Sequence, residues 1–145
     1  MSRRAYQAGW LAYSMVIVCV TTLPFQFTMD AQIVQMKLAH VSPNPLFDPW
    51  RAAAASPGGW LMNIAFFVPF GTFGILARTV PGLSRRALLM VTLLGLLLSF
   101  AVETLQVFTR SRIPSMGDLA ANTIGTLAGA LVTYVVRLRQ ERVVG

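Results

Sequence analysis

The stretch ALLMVTLLGLLLSFAVETLQVFT, residues 87–109, contains a single charged residue, Glu103. About 20 mostly apolar residues suffice to cross a hydrocarbon core of roughly 30 Å, so this run reads as a membrane span. Outward from it, residues 5–29, 52–77 and 119–136 carry no charge at all. Four spans are therefore expected, at residues 10–27, 60–77, 87–108 and 118–136. The 145 residues read as one integral membrane domain, an all-α membrane protein built as a four-transmembrane-helix bundle.

Composition agrees. Apolar residues make up 55% of the chain and charged residues 12%, against about 25% charged in an ordinary soluble domain. Disordered chains are polar and rich in like charge, which excludes that class. Cys19 has no partner, which excludes a disulfide-stapled domain. Ser2-Arg3-Arg4 followed by an apolar run is also how a secretory signal begins. Here the run is long and no A-x-A-like site follows it, which favours a span.

Orientation follows from the basic residues. With four spans, Arg3, Arg4, Arg78, Arg85, Arg86, Arg137, Arg139 and Arg142 fall on one side, and Lys37, Arg51, Arg110 and Arg112 on the other. Eight against four places both termini in the cytoplasm. The net charge of +7 is then mostly topology signal, with Arg137 and Arg139 also placed to meet anionic headgroups. A nucleic-acid-binding role needs a basic folded face that this chain has no room for.

Residues 28–59 form a long outer loop between the first two spans. Residues 29–41 within it suggest a short interfacial helix. Pro43, Pro45 and Pro49 exclude a regular helix after that. The loop's length and side make it a candidate lid. His40 is the only histidine, so no metal or haem site is expected, and no cofactor.

Polar residues within spans carry the functional signal. Glu103 and Gln106 share a helix face, three residues apart. Asp118, Asn122, Gly125 and Gly129 follow i, i+4, i+7, i+11, again one face, with the glycines reading as a close-packing pair. On the second span stand Asn63 and, within the helix, Pro69. The alternating directions of the spans put Asn63, Glu103, Gln106, Asp118 and Asn122 at one depth near the outer surface, with Arg112 above. Plainer readings stand beside this one. Asp118 serves as an N-cap of the fourth span, Asn63 and Asn122 bridge helices, and Glu103 pairs with Arg112 for structure alone.

Taken in order, these residues resemble the VanZ-like family of bacterial membrane proteins. Asn63-Ile-Ala-Phe-Phe-Val-Pro69-Phe-Gly71 is similar to that family's N-x-x-x-F-x-P-x-G. Glu103-Thr-Leu-Gln106 ahead of Arg112 is similar to its E-x-x-Q…R, and Asp118, Asn122, Gly125 and Gly129 to its D-x-x-x-N-x-x-G-x-x-x-G. Ser115 stands where many members carry Asp, and Asn44-Pro-Leu-Phe47 echoes an N-x-x-P-F element only loosely. The resemblance implies a multi-pass protein of the bacterial cytoplasmic membrane in a family named for a teicoplanin-resistance accessory protein. It supplies no reaction.

Three functions compete. In the first, the outer cluster binds an envelope lipid, a lipid-linked precursor or a glycopeptide-related ligand. Asn63, Gln106, Arg112 and Asn122 would contact its head, and Phe66, Phe67 and Phe70 would line an acyl-chain cleft. In the second, Glu103 and Asp118 are the catalytic carboxylates of an intramembrane hydrolase or transferase. In the third, Glu103 titrates in a small transporter or proton-coupled channel. Pro69, Gly71, Gly125 and Gly129 are assigned to helix packing in all three.

Overall fold

The computed structural model describes residues 2–42, 57–78 and 84–144. These form five helices, α1 (Arg3–Thr22), α2 (Ala31–His40), α3 (Pro57–Leu76), α4 (Arg85–Val107) and α5 (Met116–Val144), with no strand among the described residues. Three segments are long and apolar enough to cross a membrane: Gly59–Leu76, Arg85–Val107 and Met116–Gln140. The Pro-rich part of the outer loop, from Pro43 on, lies outside the described residues.

Local chemistry sets the helix starts. Ser2 Oγ accepts from the Ala5 N–H at 3.3 Å, Asp30 Oδ1 from Gln32 at 2.9 Å, and Ser84 Oγ from Ala87 at 3.3 Å. Each satisfies an N–H that has no partner inside its own helix.

α1 departs from the expected first span. It ends at Thr22 rather than near Phe27, because the Leu23 N–H closes on the Cys19 carbonyl and Pro24 cannot continue the ladder. α1 is not among the three apolar segments, since Gln7, Ser14, Thr21 and Thr22 dilute its apolar content. Its serine and threonine hydroxyls are turned inward onto the helix itself. Ser14 donates to the Trp10 carbonyl at 2.8 Å, Thr21 to Ile17 at 2.7 Å and Thr22 to Val18 at 2.6 Å. α5, by contrast, runs eight residues past the expected end of the fourth span.

α5 lies between α3 and α4, and glycines permit the approach. A Cβ on Gly125 or Gly129 would strike the backbone carbonyls of Ile64 and Val68, and one on Gly71 would strike the carbonyl of Thr126. Pro69, inside α3, has no N–H to donate, so α3 lacks one rung of its own ladder at this contact.

α1 packs on the far side of α3 through a core of Ile17, Phe67, Phe70 and Val102, flanked by Trp10, Tyr13 and Phe66. Trp10 and Phe70 meet at 5.2 Å between ring centroids, and Tyr13 Oη donates to the Phe66 carbonyl at 2.7 Å. The aromatic cleft expected at Phe66, Phe67 and Phe70 is therefore packed by α1. Phe67 is wholly buried and Phe66 partly so. Leu89, Met90, Leu93, Leu97 and Phe100 form an exposed apolar face on α4, suited to lipid.

The two ends of the bundle differ in what they hold. At one, Arg3 Nε donates to the Ala77 carbonyl at 3.2 Å and Arg137 Nη1 reaches the Arg78 carbonyl at 3.5 Å. Both cations cover carbonyls at the C-terminal end of α3, where the helix dipole favours positive charge. At the other, the chain leaving α1 turns back through Phe25, at a left-handed φ of 61°. It then pairs with the α4–α5 connection. Thr28 N donates to the Phe108 carbonyl and Arg110 N to the Gln26 carbonyl, both at 2.8 Å.

Candidate functional site

The α4–α5 connection determines the site. Ser115 caps α5: its Oγ accepts from the Gly117 N–H at 3.1 Å and its carbonyl from Leu119 N at 3.1 Å. Asp118 is consequently not the cap expected from its position. It lies buried in the first turn of α5, where its charge still favours the positive helix end. Proline at 114 and serine at 115 place the cap three residues earlier than the carboxylate suggests.

Gly95, Ser99, Glu103 and Gln106 are all buried and fall at i, i+4, i+8 and i+11 on one face of α4. Glu103 is 9% exposed, and its Oε2 accepts the backbone N–H of Ser115 at 2.7 Å. That charge-assisted bond ties α4 to the capping residue of α5. One turn deeper, Asn122 Nδ2 donates to Ser99 Oγ at 2.9 Å, and Thr126 Oγ1 to the Asn122 carbonyl at 3.0 Å. Gly95 leaves room for Thr126, whose side chain would collide with any Cβ there. Asn122 is 4% exposed, yet its Oδ1 has no hydrogen-bond partner.

The residues expected at one level thus separate into distinct settings. Glu103, Gln106, Asp118 and Asn122 are buried at the seam between α4 and α5. Gln106 Nε2 is occupied by the Thr21 carbonyl of α1, at 3.2 Å. Asn63 is half-buried on α3, next to the Ile64 carbonyl that meets Gly125. Arg112 is exposed, and its Nε turns to the Leu23 carbonyl at 3.2 Å. The face shared by Asp118, Asn122, Gly125 and Gly129 divides in use. Asn122 addresses α4, while Gly125 and Gly129 address α3.

Sequence reasoning missed Lys37. It counted as a loop charge, but on α2 it is 5% exposed. Its ammonium donates to the carbonyls of Gln106 at 3.1 Å, Arg112 at 2.6 Å and Thr109. Burial pulls its pKa below the ordinary lysine value of 10.5. The one available signal was weak, a lone lysine among Ile33, Val34, Met36 and Leu38. Ser99 and Thr126 were also missed, because single hydroxyls in a helix ordinarily bond their own backbone. Among the described residues no three of His, Cys, Asp and Glu gather as metal ligands would.

The arrangement is rich in hydrogen-bond acceptors. The Glu103 and Asp118 carboxylates are buried at the start of α5 and the Asn122 amide oxygen a turn deeper, while Lys37 and Arg112 are engaged by backbone carbonyls of the α4–α5 connection and the end of α1. A family model described as VanZ/LLP1 matches residues 10–137. No curated protein and no solved structure matches the chain.

Proposed function

From the chain's membership of the VanZ/LLP1 family, a family of membrane proteins, we propose that it binds the polar head of an envelope lipid or lipid-linked precursor at the α4–α5 seam. It crosses the bacterial cytoplasmic membrane four times, α1 included, with both termini inside and the seam's polar end in the outer leaflet. The arginines that cover the C-terminal end of α3 support this orientation, since Lys and Arg collect on the cytoplasmic side. The covering of α1's serine and threonine hydroxyls by its own carbonyls supports a place for it in lipid.

One observation carries the binding reading: Asn122 Oδ1, deeply buried and without a donor. Buried polar atoms in native proteins are paired as a rule, because an unpaired one costs about 1–3 kcal/mol. An acceptor left open beside Ser99 calls for a hydroxyl or ammonium donor, the groups that envelope-lipid heads present. Arg112, exposed on the α4–α5 connection, would meet the phosphate of the same head.

The test is native mass spectrometry of the protein extracted with its own lipids. Asn122→Leu and Arg112→Ala should each lose a co-purifying lipid class at unchanged fold. An identical lipid profile for wild type, Glu103→Gln, Arg112→Ala and Asn122→Leu would sink the reading. Turnover of a captured lipid, abolished by Glu103→Gln while capture persists, would replace binding with catalysis.

A further inference from the structure

Three carbonyls converge on one ammonium at the polar end of the bundle. Gln106 is in the last turn of α4, and Thr109 and Arg112 follow in the connection to α5. The final carbonyls of any helix lack partners within it, and in a membrane-embedded helix water is scarce as a substitute. Here the donor arrives from α2, an element some seventy residues away in sequence. The same connection carries Ser115, whose N–H holds Glu103, and Arg112, whose Nε holds the end of α1. The placements of Glu103 and Arg112 thus depend on the path of residues 106–115.

We infer that Lys37 is the positioning residue of the outer site and that α2, docked through it, closes that site. The inference rests on the binding reading for what the closed site holds, but not for the closure itself. α2 touches α4 over a small area: Lys37 is its one buried residue, Ile33 and Val34 are half-buried, and the bridge of residues 26–28 to 108–110 ties the chain just ahead of it to the same connection. Because burial disfavours its charge, the ammonium is held by those three carbonyls against a solvation cost. Removing them from one another frees both sides to return to water, which makes α2 separable from a bundle whose remaining helices pack through glycine contacts it does not share. Lifting α2 uncovers the connection of residues 106–112 and opens the polar end of the α4–α5 seam to a ligand head.

Thiol reactivity in detergent reads this directly. In a Cys19→Ala background, a cysteine replaces Thr109, which is wholly buried beneath Lys37, or Val91, wholly buried in the core of α4 remote from α2. Lys37→Met should raise the modification rate at position 109 on the order of tenfold and leave position 91 unchanged, the mark of a local opening. Lys37→Arg, which keeps the charge and donors, should restore most of the protection. Equal rates with and without Lys37, or parallel increases at both positions, would overturn the inference. The thiol rates need no lipid, so a failure of lipid capture leaves them interpretable and a failure of closure leaves lipid capture to be judged separately.

Discussion

The Glu103 carboxylate accepts the backbone N–H of Ser115 across 2.7 Å, so a side chain on one helix fixes the residue that begins the next. Glu103→Ala leaves that N–H without its acceptor in a buried setting, and an unpaired buried donor costs about 1–3 kcal/mol. Glu103→Gln keeps an acceptor oxygen within reach of that N–H and removes the charge. The denaturation midpoint in detergent should fall clearly for the alanine variant and by less than half as much for glutamine. Equal losses would mean that charge, rather than the bond to Ser115, is what Glu103 provides.

The α3–α5 contact makes a second prediction. Gly129→Ala places a methyl group against the Val68 carbonyl, which belongs to backbone and cannot swing aside. Overpacking of this kind costs about 1–3 kcal/mol. Gly59, at the start of α3, has nothing within 4 Å of its would-be Cβ. Gly59→Ala should be neutral or stabilising by up to about 1 kcal/mol, since alanine loses less backbone freedom in a helix. A thermal melt of the two variants side by side separates the glycine that packs from the one that does not.

The glycine face was legible because a missing side chain at i, i+4 has one common use in membrane helices. Glu103 was legible because charge is rare in an apolar run. Gln106 was visible as polar, yet its partner, the Thr21 carbonyl, lies on a helix no local pattern could align with it. Asp118 misled for a local reason: a serine and an aspartate three residues apart both fit a helix start, and the hydroxyl holds the cap. Lys37 was hidden altogether, because what buries it is a set of carbonyls, and carbonyls leave no trace in the sequence.

Topology can be checked with exposed positions flanking α4. Ser111 lies in the α4–α5 connection and Ser84 caps the other end of α4, and both are exposed. In intact cells carrying Cys19→Ala, a cysteine at 111 should react with a membrane-impermeant maleimide, and one at 84 only after permeabilisation. The reverse pattern would invert the orientation and place the seam's polar end in the cytoplasmic leaflet.

Asn122 offers the sharpest separation of structure from function. Its amide makes one side-chain bond, to Ser99 Oγ, and leaves Oδ1 unpaired. Asn122→Leu removes that bond and the orphan acceptor together, and Ser99 can turn its hydroxyl to its own helix. Replacing a partly satisfied buried pair with an apolar group of similar size is close to neutral or stabilising. The midpoint of unfolding should therefore hold within about 1 kcal/mol while the co-purifying lipid is lost. A helix-bridging asparagine with no ligand would give the same midpoint with the lipid complement intact, so the lipid readout separates the two.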